Sequence, residues 1–254
     1  MKRRRALRTS EVATAVGVHP NTVRLYEAWG LQPAIPRSPS GYRQFTEAHI
    51  DHMRLARKAF VGAWPGRPIR LVAVATVKRA ASGDLGGALE QAYELLAVVQ
   101  AERALAESAV RLLQRWAQGV ASDATPVQLR IGEAAELLGV SRDRLRSWER
   151  NGLVHVPRDP ANGYRRYGAA EIGRLRVIRM LRRAGYSPMA ILRMLLQLDR
   201  GEAEDLRELL DTPRSDEGVY SAADRWLSTL TMWEERACEM ITLLEMMLER
   251  ERWP

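Results

Sequence analysis

A single cysteine, Cys238, stands among 254 residues. That excludes a disulfide within the chain and any cysteine-rich zinc or iron–sulfur site, and it fits a reducing cytoplasm. Histidine is almost as scarce. His19, His49, His52 and His155 have no set of partner ligands at metal-binding spacing. His49 and His52 fall three apart in a helical stretch with no third ligand nearby, so they read as part of a solvated face. There is no Gly-rich phosphate loop and no acid–base cluster, so the expectation is a non-enzyme that uses neither metal nor cofactor. Long apolar runs are also missing. Leu71 to Ala75 is far too short to span a bilayer. The basic start Met1 to Arg5 is followed by Arg8-Thr-Ser-Glu11 rather than by a signal-peptide apolar segment. The expected location is therefore cytoplasmic, with no membrane partner.

What the chain does have is positive charge, unevenly placed. The net charge is +8 overall, but +11 over residues 1–79, −3 over 80–124, +7 over 125–185 and −7 over 186–254. Two separate basic regions suggest two contacts with one polyanion.

The alternation follows an internal repeat. Arg8 to Phe45 aligns without a gap to Arg130 to Tyr167, 122 residues later, with 12 identities in 38 positions. In the first copy Ser10 is a candidate cap for a helix beginning at Glu11, and Gly17 is a left-handed stop. His19-Pro20 opens a second helix with proline at the tolerated first position. Val23, Tyr26 and Leu25 form its inner face, and Gly30 ends it. In the second copy Glu133 to Leu138 is the first helix and Gly139-Val140 the turn. Ser141 caps a helix whose Leu145 and Trp148 face inward, and Gly152 stops it. Each pair is a helix-turn-helix. A Pro-rich or polar stretch follows each (Pro33 to Ser40, Val156 to Asn162) and ends in Gly-Tyr-Arg-x-aromatic, the pattern of a small β-hairpin or wing. Tyr42-Arg43 and Tyr164-Arg165 suit phosphate contact. The alternative is that each tyrosine packs its wing on the core while the arginine is solvated.

The residues Arg24-Leu-Tyr26-Glu27, Gly30-Leu31 and Gly41-Tyr42-Arg43-Gln44-Phe45 resemble the MerR family of bacterial transcription regulators. So do Arg146-Ser-Trp148-Glu149, Gly152-Leu153 and Gly163-Tyr164-Arg165-Arg166-Tyr167. Glu171 to Ile178 and Ala184-Gly-Tyr-Ser187-Pro188 match the helices that follow the wing in that family. The first copy departs after His49 to Phe60, where Trp64-Pro65-Gly66-Arg67-Pro68 replaces the usual loop with two extra residues. Ordinary members carry one module and form homodimers, whereas this chain carries two.

Two long helical stretches, Ala88 to Trp116 and Ser221 to Glu251, show heptad seams. The first seam is Leu89, Ala92, Leu96, Val99, Ala106, Val110 and Leu113, interrupted by Arg103. The second is Ala223, Trp226, Leu230, Trp233, Ala237, Met240, Leu244 and Met247. One seam is rich in small residues and the other bulky, which favours pairing with each other. The Trp and Met residues of the last stretch read as core, with a drug-like pocket as the alternative. The expected fold is mainly α: two winged helix-turn-helix modules (1–84 and 128–218), each followed by a long coiled-coil helix (85–118 and 219–254). A linker at 119–127 lets the chain form an intrachain pseudo-dimer and remain a monomer. A swapped dimer is the alternative.

The resemblance implies double-stranded promoter DNA as partner, with RNA polymerase holoenzyme acting beside it on a bent and untwisted promoter spacer. Each recognition helix (Pro20 to Trp29, Ser141 to Asn151) would enter a major groove. The expected contact residues are His19, Asn21, Thr22, Arg24, Arg37, Tyr42 and Arg43 in one module. In the other they are Arg142, Arg144, Arg146, Tyr164, Arg165 and Arg166. Tyr26 and Trp148 either touch the DNA backbone or pack beneath their helices. A DNA-bending architectural protein for recombination or nucleoid organisation is the rival reading.

Overall fold

The computed structural model describes residues 5–60, 62, 64, 66–117, 128–200, 206–211 and 225–252. These residues are mainly helical, and β structure among them is limited to isolated bridges. The first repeat holds α1 (Thr9–Val16), α2 (Pro20–Ala28), α3 (Glu47–Phe60), α4 (Arg67–Ala81) and α5 (Leu85–Ala117). The second holds α6 (Ile131–Leu138), α7 (Arg142–Arg150), α8 (Ala169–Arg183), α9 (Pro188–Asp199), α10 (Leu206–Asp211) and α11 (Trp226–Arg252). The expected linker, the start of the last helix at Ser221, and Ala223 and Pro65 lie outside the described residues.

Local chemistry accounts for the helix ends, with one correction. Ser10 is not the cap of α1. The Glu11 carboxylate reaches back to the Arg8 N–H at 2.7 Å, which starts the helix at Thr9. Glu133 does the same to the Arg130 N–H at 2.6 Å. Gly17 and Gly139 adopt φ of 69° and 59°, the left-handed conformation that closes each helix-turn-helix turn. Pro20 opens α2, and the Ser141 hydroxyl accepts from the Arg144 N–H at 3.1 Å.

Each module is closed by the same short bridge. Leu7 and Phe45 exchange two backbone hydrogen bonds (2.9 and 3.0 Å), and Leu129 and Tyr167 do likewise (2.9 and 2.9 Å). Below the bridges lie the cores. Val12, Val23, Leu31, Phe45 and Met53 are fully buried in the first module, as are Ala134, Leu138, Leu153, Tyr167 and Ile172 in the second.

The chain forms two compact units, Met1–Ala101 with Leu230–Pro254, and Glu102–Thr229. Within the first, α5 and α11 run antiparallel. Tyr93 Oη donates to Glu245 at 3.1 Å, and Gln100 Nε2 donates to Glu234 at 3.0 Å. In the same unit α11 meets α3 and the segment after it: Lys58 pairs with Glu239 at 2.6 Å, Arg250 donates to Asp51, and the rings of Trp64 and Trp233 stack at 5.1 Å.

These contacts correct two sequence expectations. His49 and His52 are buried rather than solvated, because α3 is flanked by its own module and by α11. On α5, Ala88 and Leu95 are fully buried while Leu89 and Leu96 are only half-buried, so the seam sits one residue earlier there. Trp226, Leu230, Trp233, Ala237, Met240, Leu244 and Met247 of α11 are all buried. In the second unit Asp211 accepts from the Ser228 N–H at 3.1 Å and so caps α11. The Trp226 ring packs where a Gly185 side chain would be, 2.4 Å from an ideal Cβ.

Candidate nucleic-acid interface

The recognition helices expose the residues expected to meet DNA. On α7, Leu145 and Trp148 turn inward while Arg142, Arg144 and Arg146 are exposed. On α2, Val23 and Tyr26 are buried and Leu25 is exposed, so Leu25 is not part of the inner face. Tyr26 and Trp148, each 6% exposed, pack beneath their helices rather than reaching outward. His19 caps α2, its Nδ1 accepting from the Asn21 N–H at 3.2 Å, and Thr22 is half-buried.

One arginine in each helix is held by a side chain three residues before it. Arg24 donates to Asn21 Oδ1 at 2.7 Å, and Arg146 donates to Asp143 Oδ1 at 2.9 Å. The first pair is neutral on the acceptor side and the second is ionic.

Each wing is a hairpin held by one bridge rather than a ladder. Gln44 N donates to Pro36 O and Ser38 N to Tyr42 O, both at 2.8 Å. In the second wing Arg166 N donates to Pro157 O at 2.9 Å and Asp159 N to Tyr164 O at 2.7 Å. Prolines at 36, 39, 157 and 160 remove ladder donors and keep the pairing short. Tyr42 and Tyr164 stand 76% and 66% exposed at the tips, so neither packs its wing on the core.

The bridges also correct the ungapped alignment. Arg37 pairs with Arg43, but Arg158, not residue 159, pairs with Arg165. Arg37 donates to Gly41 O at 3.5 Å and Arg158 to Gly163 O at 3.2 Å, so these two are the structural twins. Sequence reasoning missed Arg158 because no gap was allowed. One residue shifted across the loop would have found it.

Arg43 and Arg165 do more than face outward. Arg43 Nε donates to Glu27 Oε2, and Arg165 Nε to Glu149 Oε2, each at 2.6 Å. Arg37 adds a 3.5 Å contact to Glu27. Arg166 serves the wing itself. Its Nη2 lies 2.6 Å from Asp159, which also accepts from the Ala161 N–H at 2.8 Å and from Asn162 at 3.1 Å. The Ala161 amide and then Arg166 hold the Asp159 carboxyl below the ordinary carboxylate range.

Beside α7 and the second wing lies a groove of about 770 Å³ lined by Arg130, Arg142, Arg146, Arg158 and Arg165, together with Tyr164. Its one carboxylate, Glu133, is engaged with the Arg130 N–H. Five guanidinium groups around a helix and a hairpin tip can accept a run of phosphates. A second groove, of about 540 Å³, lies on the other flank of α7, where Arg144 meets Arg179, Arg182 and Arg183 of α8. No helix of the described residues is long and apolar enough to cross a membrane.

Residues 7–60 and 129–198 each match the MerR HTH family of regulatory proteins. A mercuric resistance operon regulatory protein of Bacillus cereus is 34% identical over 85 residues, covering 34% of this chain and 64% of the relative. A probable heavy metal-dependent transcriptional regulator of Haemophilus influenzae is 37% identical over 71 residues, 28% of this chain and 56% of the relative. A mercuric resistance operon regulatory protein of Serratia marcescens is 38% identical over 84 residues, 32% of this chain and 58% of the relative. The chain thus spans less than two thirds of the length of these curated relatives. No solved structure matches. With a helix-turn-helix and a wing in each matched segment, the chain belongs to the MerR family and carries two of its modules in tandem.

Proposed function

We propose that the chain is a sequence-specific double-stranded DNA-binding transcription regulator that grips promoter DNA with both modules of one polypeptide. The observation that carries this reading is the repeated construction of the outward face: a recognition helix with a tethered arginine, and a wing tied to that helix by an Arg–Glu pair, made twice with the same distance. The single-chain pseudo-dimer is supported by the antiparallel α5–α11 contacts within the first unit. In this reading α5 and α11 do for one chain what pairing helices do between two. The chain then bends and untwists a promoter spacer for RNA polymerase.

The heavy-metal role in the relatives' names is not carried across. Cys238 is exposed on α11, and no group of three His, Cys, Asp or Glu gathers among the described residues.

The test is selection of binding sites from a random duplex pool with the full chain, together with light scattering of the free protein and of its complex. One enriched sequence with two half-sites, bound by one chain, is the expected result. Failure to enrich any sequence would overturn specific recognition, and a stable dimer in the complex would overturn the single-chain arrangement.

A further inference from the structure

The groove on the far flank of α7 is only partly matched at the same place in the first module. Arg144 comes from α7, and Arg179, Arg182 and Arg183 come from the last turns of α8. Ser141, Ser147 and Asn151 complete the polar wall, and no carboxylate is among the lining residues. Four like charges around one concavity repel unless an anion sits between them. Burial, and then the charge of Arg144, hold the Arg182 guanidinium below its ordinary value. Arg182 is fixed in place by a hydrogen bond from Nη1 to Tyr186 O at 2.5 Å.

The repeat provides an internal comparison. At 122 residues' offset, Arg144 corresponds to Thr22, Arg179 to Arg57, Arg182 to Phe60 and Arg183 to Val61. Arg57 and Arg179 keep the same position, each reaching the glycine of its own helix-turn-helix turn. Arg57, however, donates to Val16 O. Phe60 packs against Tyr26 and Trp29 at 5.8 and 5.9 Å, and tilts edge-on to Trp64 at 5.6 Å. The first module is aromatic where the second is cationic.

We infer that the Arg144–Arg179–Arg182–Arg183 groove is a phosphate clamp for the DNA backbone, present in the second module and absent from the first. It rests on the DNA-binding reading and adds a division of labour to it. The second module supplies sequence-independent grip on both flanks of its recognition helix. The first holds DNA through its wing and helix face only. Arg142 and Arg146, four apart, share the wing side of α7. Arg144 lies on the other side and belongs to the clamp rather than to base reading.

The experiment measures binding of the full chain to a random-sequence duplex of about 40 base pairs, by fluorescence anisotropy, across a sodium chloride series. The variant is R144Q with R183Q, both on exposed side chains. R144K with R183K keeps the charge. R111Q with R115Q, exposed on α5, controls for loss of two charges elsewhere. Each lost phosphate contact removes about 0.9 from the slope of log affinity against log salt. The glutamine pair should lower the slope by about 1 to 2 and weaken low-salt binding about tenfold, with the lysine pair near wild type. Equal effects from the R111Q/R115Q control, or an unchanged slope, would overturn the clamp. Failure of the wild type to bind any duplex would instead overturn the DNA-binding reading. A parallel titration with inorganic phosphate separates the sources. Saturable binding of phosphate that the glutamine pair abolishes and duplex does not displace would assign the groove to a free anion and overturn the backbone assignment.

Discussion

Arg165 donates from Nε to Glu149 at 2.6 Å, across 16 residues of chain, and joins the second wing to its recognition helix. Arg43 and Glu27 repeat the contact at the same distance and separation. All four side chains are between 19% and 27% exposed, so the pairs are part-shielded rather than solvated. This explains why Glu27 and Glu149, awkward residues on a face meant for a polyanion, stand at matching positions. They neutralise the arginine that anchors the wing and fix the angle between helix and hairpin.

The first prediction follows. Glu149→Gln should destabilise the second module by about 1–2 kcal/mol, since an ion pair with Arg165 is replaced by a hydrogen bond from the same guanidinium to a neutral amide. A double-mutant cycle with Arg165→Gln, read by urea denaturation, should give a coupling of about 1 kcal/mol. Strictly additive single changes would mean that the pair contributes no stability. Glu149→Gln should also weaken DNA binding although it removes a negative charge. A purely electrostatic role would predict tighter binding.

Much of this module was legible in the sequence because its signals are local. Gly17, Gly139, Pro20 and Ser141 each act within a few residues of where they stand, and each serves as its type suggests. What escaped the reading acts at a distance. Arg43 looks like a phosphate ligand until Glu27 is folded beside it. His52 looks solvated until α11 arrives on α3, a contact reported by Arg250 and Asp51, 199 residues apart. Nothing local in the sequence marks Arg179, Arg182 and Arg183 of α8 as a site. Only the approach of Arg144 makes them a groove.

Acid should report His52. It is buried, its Nδ1 has no hydrogen-bond partner, and burial, then His49, lower its pKa from 6.5 to about 4, against a smaller opposing effect of Asp51. A depressed histidine is neutral in the fold and charged in the unfolded chain. Its contribution to stability is therefore intact above pH 6.5 and is lost progressively between there and about pH 4. The full loss is about 3 kcal/mol from one group. Urea midpoints at pH 7 and pH 4.5 should differ for wild type and much less for His52→Leu. Parallel curves for the two proteins would show that other groups set the acid limit.

The two wings should part company at lower pH. Asp159 organises the second wing, and its carboxyl is held below the ordinary range by the Ala161 amide and by Arg166. A depressed carboxyl contributes above its unfolded pKa of about 3.9 and loses that contribution as pH falls through the lower folded value. The first wing has Ser38 and Ser40 hydroxyls in the equivalent turn, 2.8 Å apart, and no carboxylate to protonate. Amide signals of 159–164 should shift in this acid range while those of 38–42 stay constant, and Asp159→Asn should abolish the difference. Simultaneous movement of both wings would point to global unfolding instead.

Trp233 tests what the pairing helix does for the first unit. It is fully buried, stacked on Trp64 at 5.1 Å, with the Arg236 guanidinium 5.2 Å from its ring centre. Trp233→Ala should cost about 3–5 kcal/mol. Because Trp64 follows α3, protection of the α3 amides from hydrogen exchange should fall together with that of α11. Loss confined to α11 would mean that the helix is an appendage rather than part of that core.

The last prediction concerns the two half-sites. Arg24 is tethered by neutral Asn21, and Arg146 by the carboxylate of Asp143. An arginine that donates to a base must leave or share its tether. Leaving an ionic partner costs more than leaving an amide, although exposure of Arg146 and Asp143 keeps the difference small. The two helices also present different donors and acceptors: Asn21 suits adenine, and Arg142 suits guanine. The selected site should therefore be non-palindromic. Arg146→Ala should relax one half-site by about 1–3 kcal/mol of discrimination and leave the other intact. Asp143→Asn, which gives the second module the first module's tether, should tighten binding through that same half-site. Repeating the site selection with each variant checks both. A palindromic site, or one that Arg146→Ala leaves unchanged in both halves, would show that these tethered arginines do not read bases.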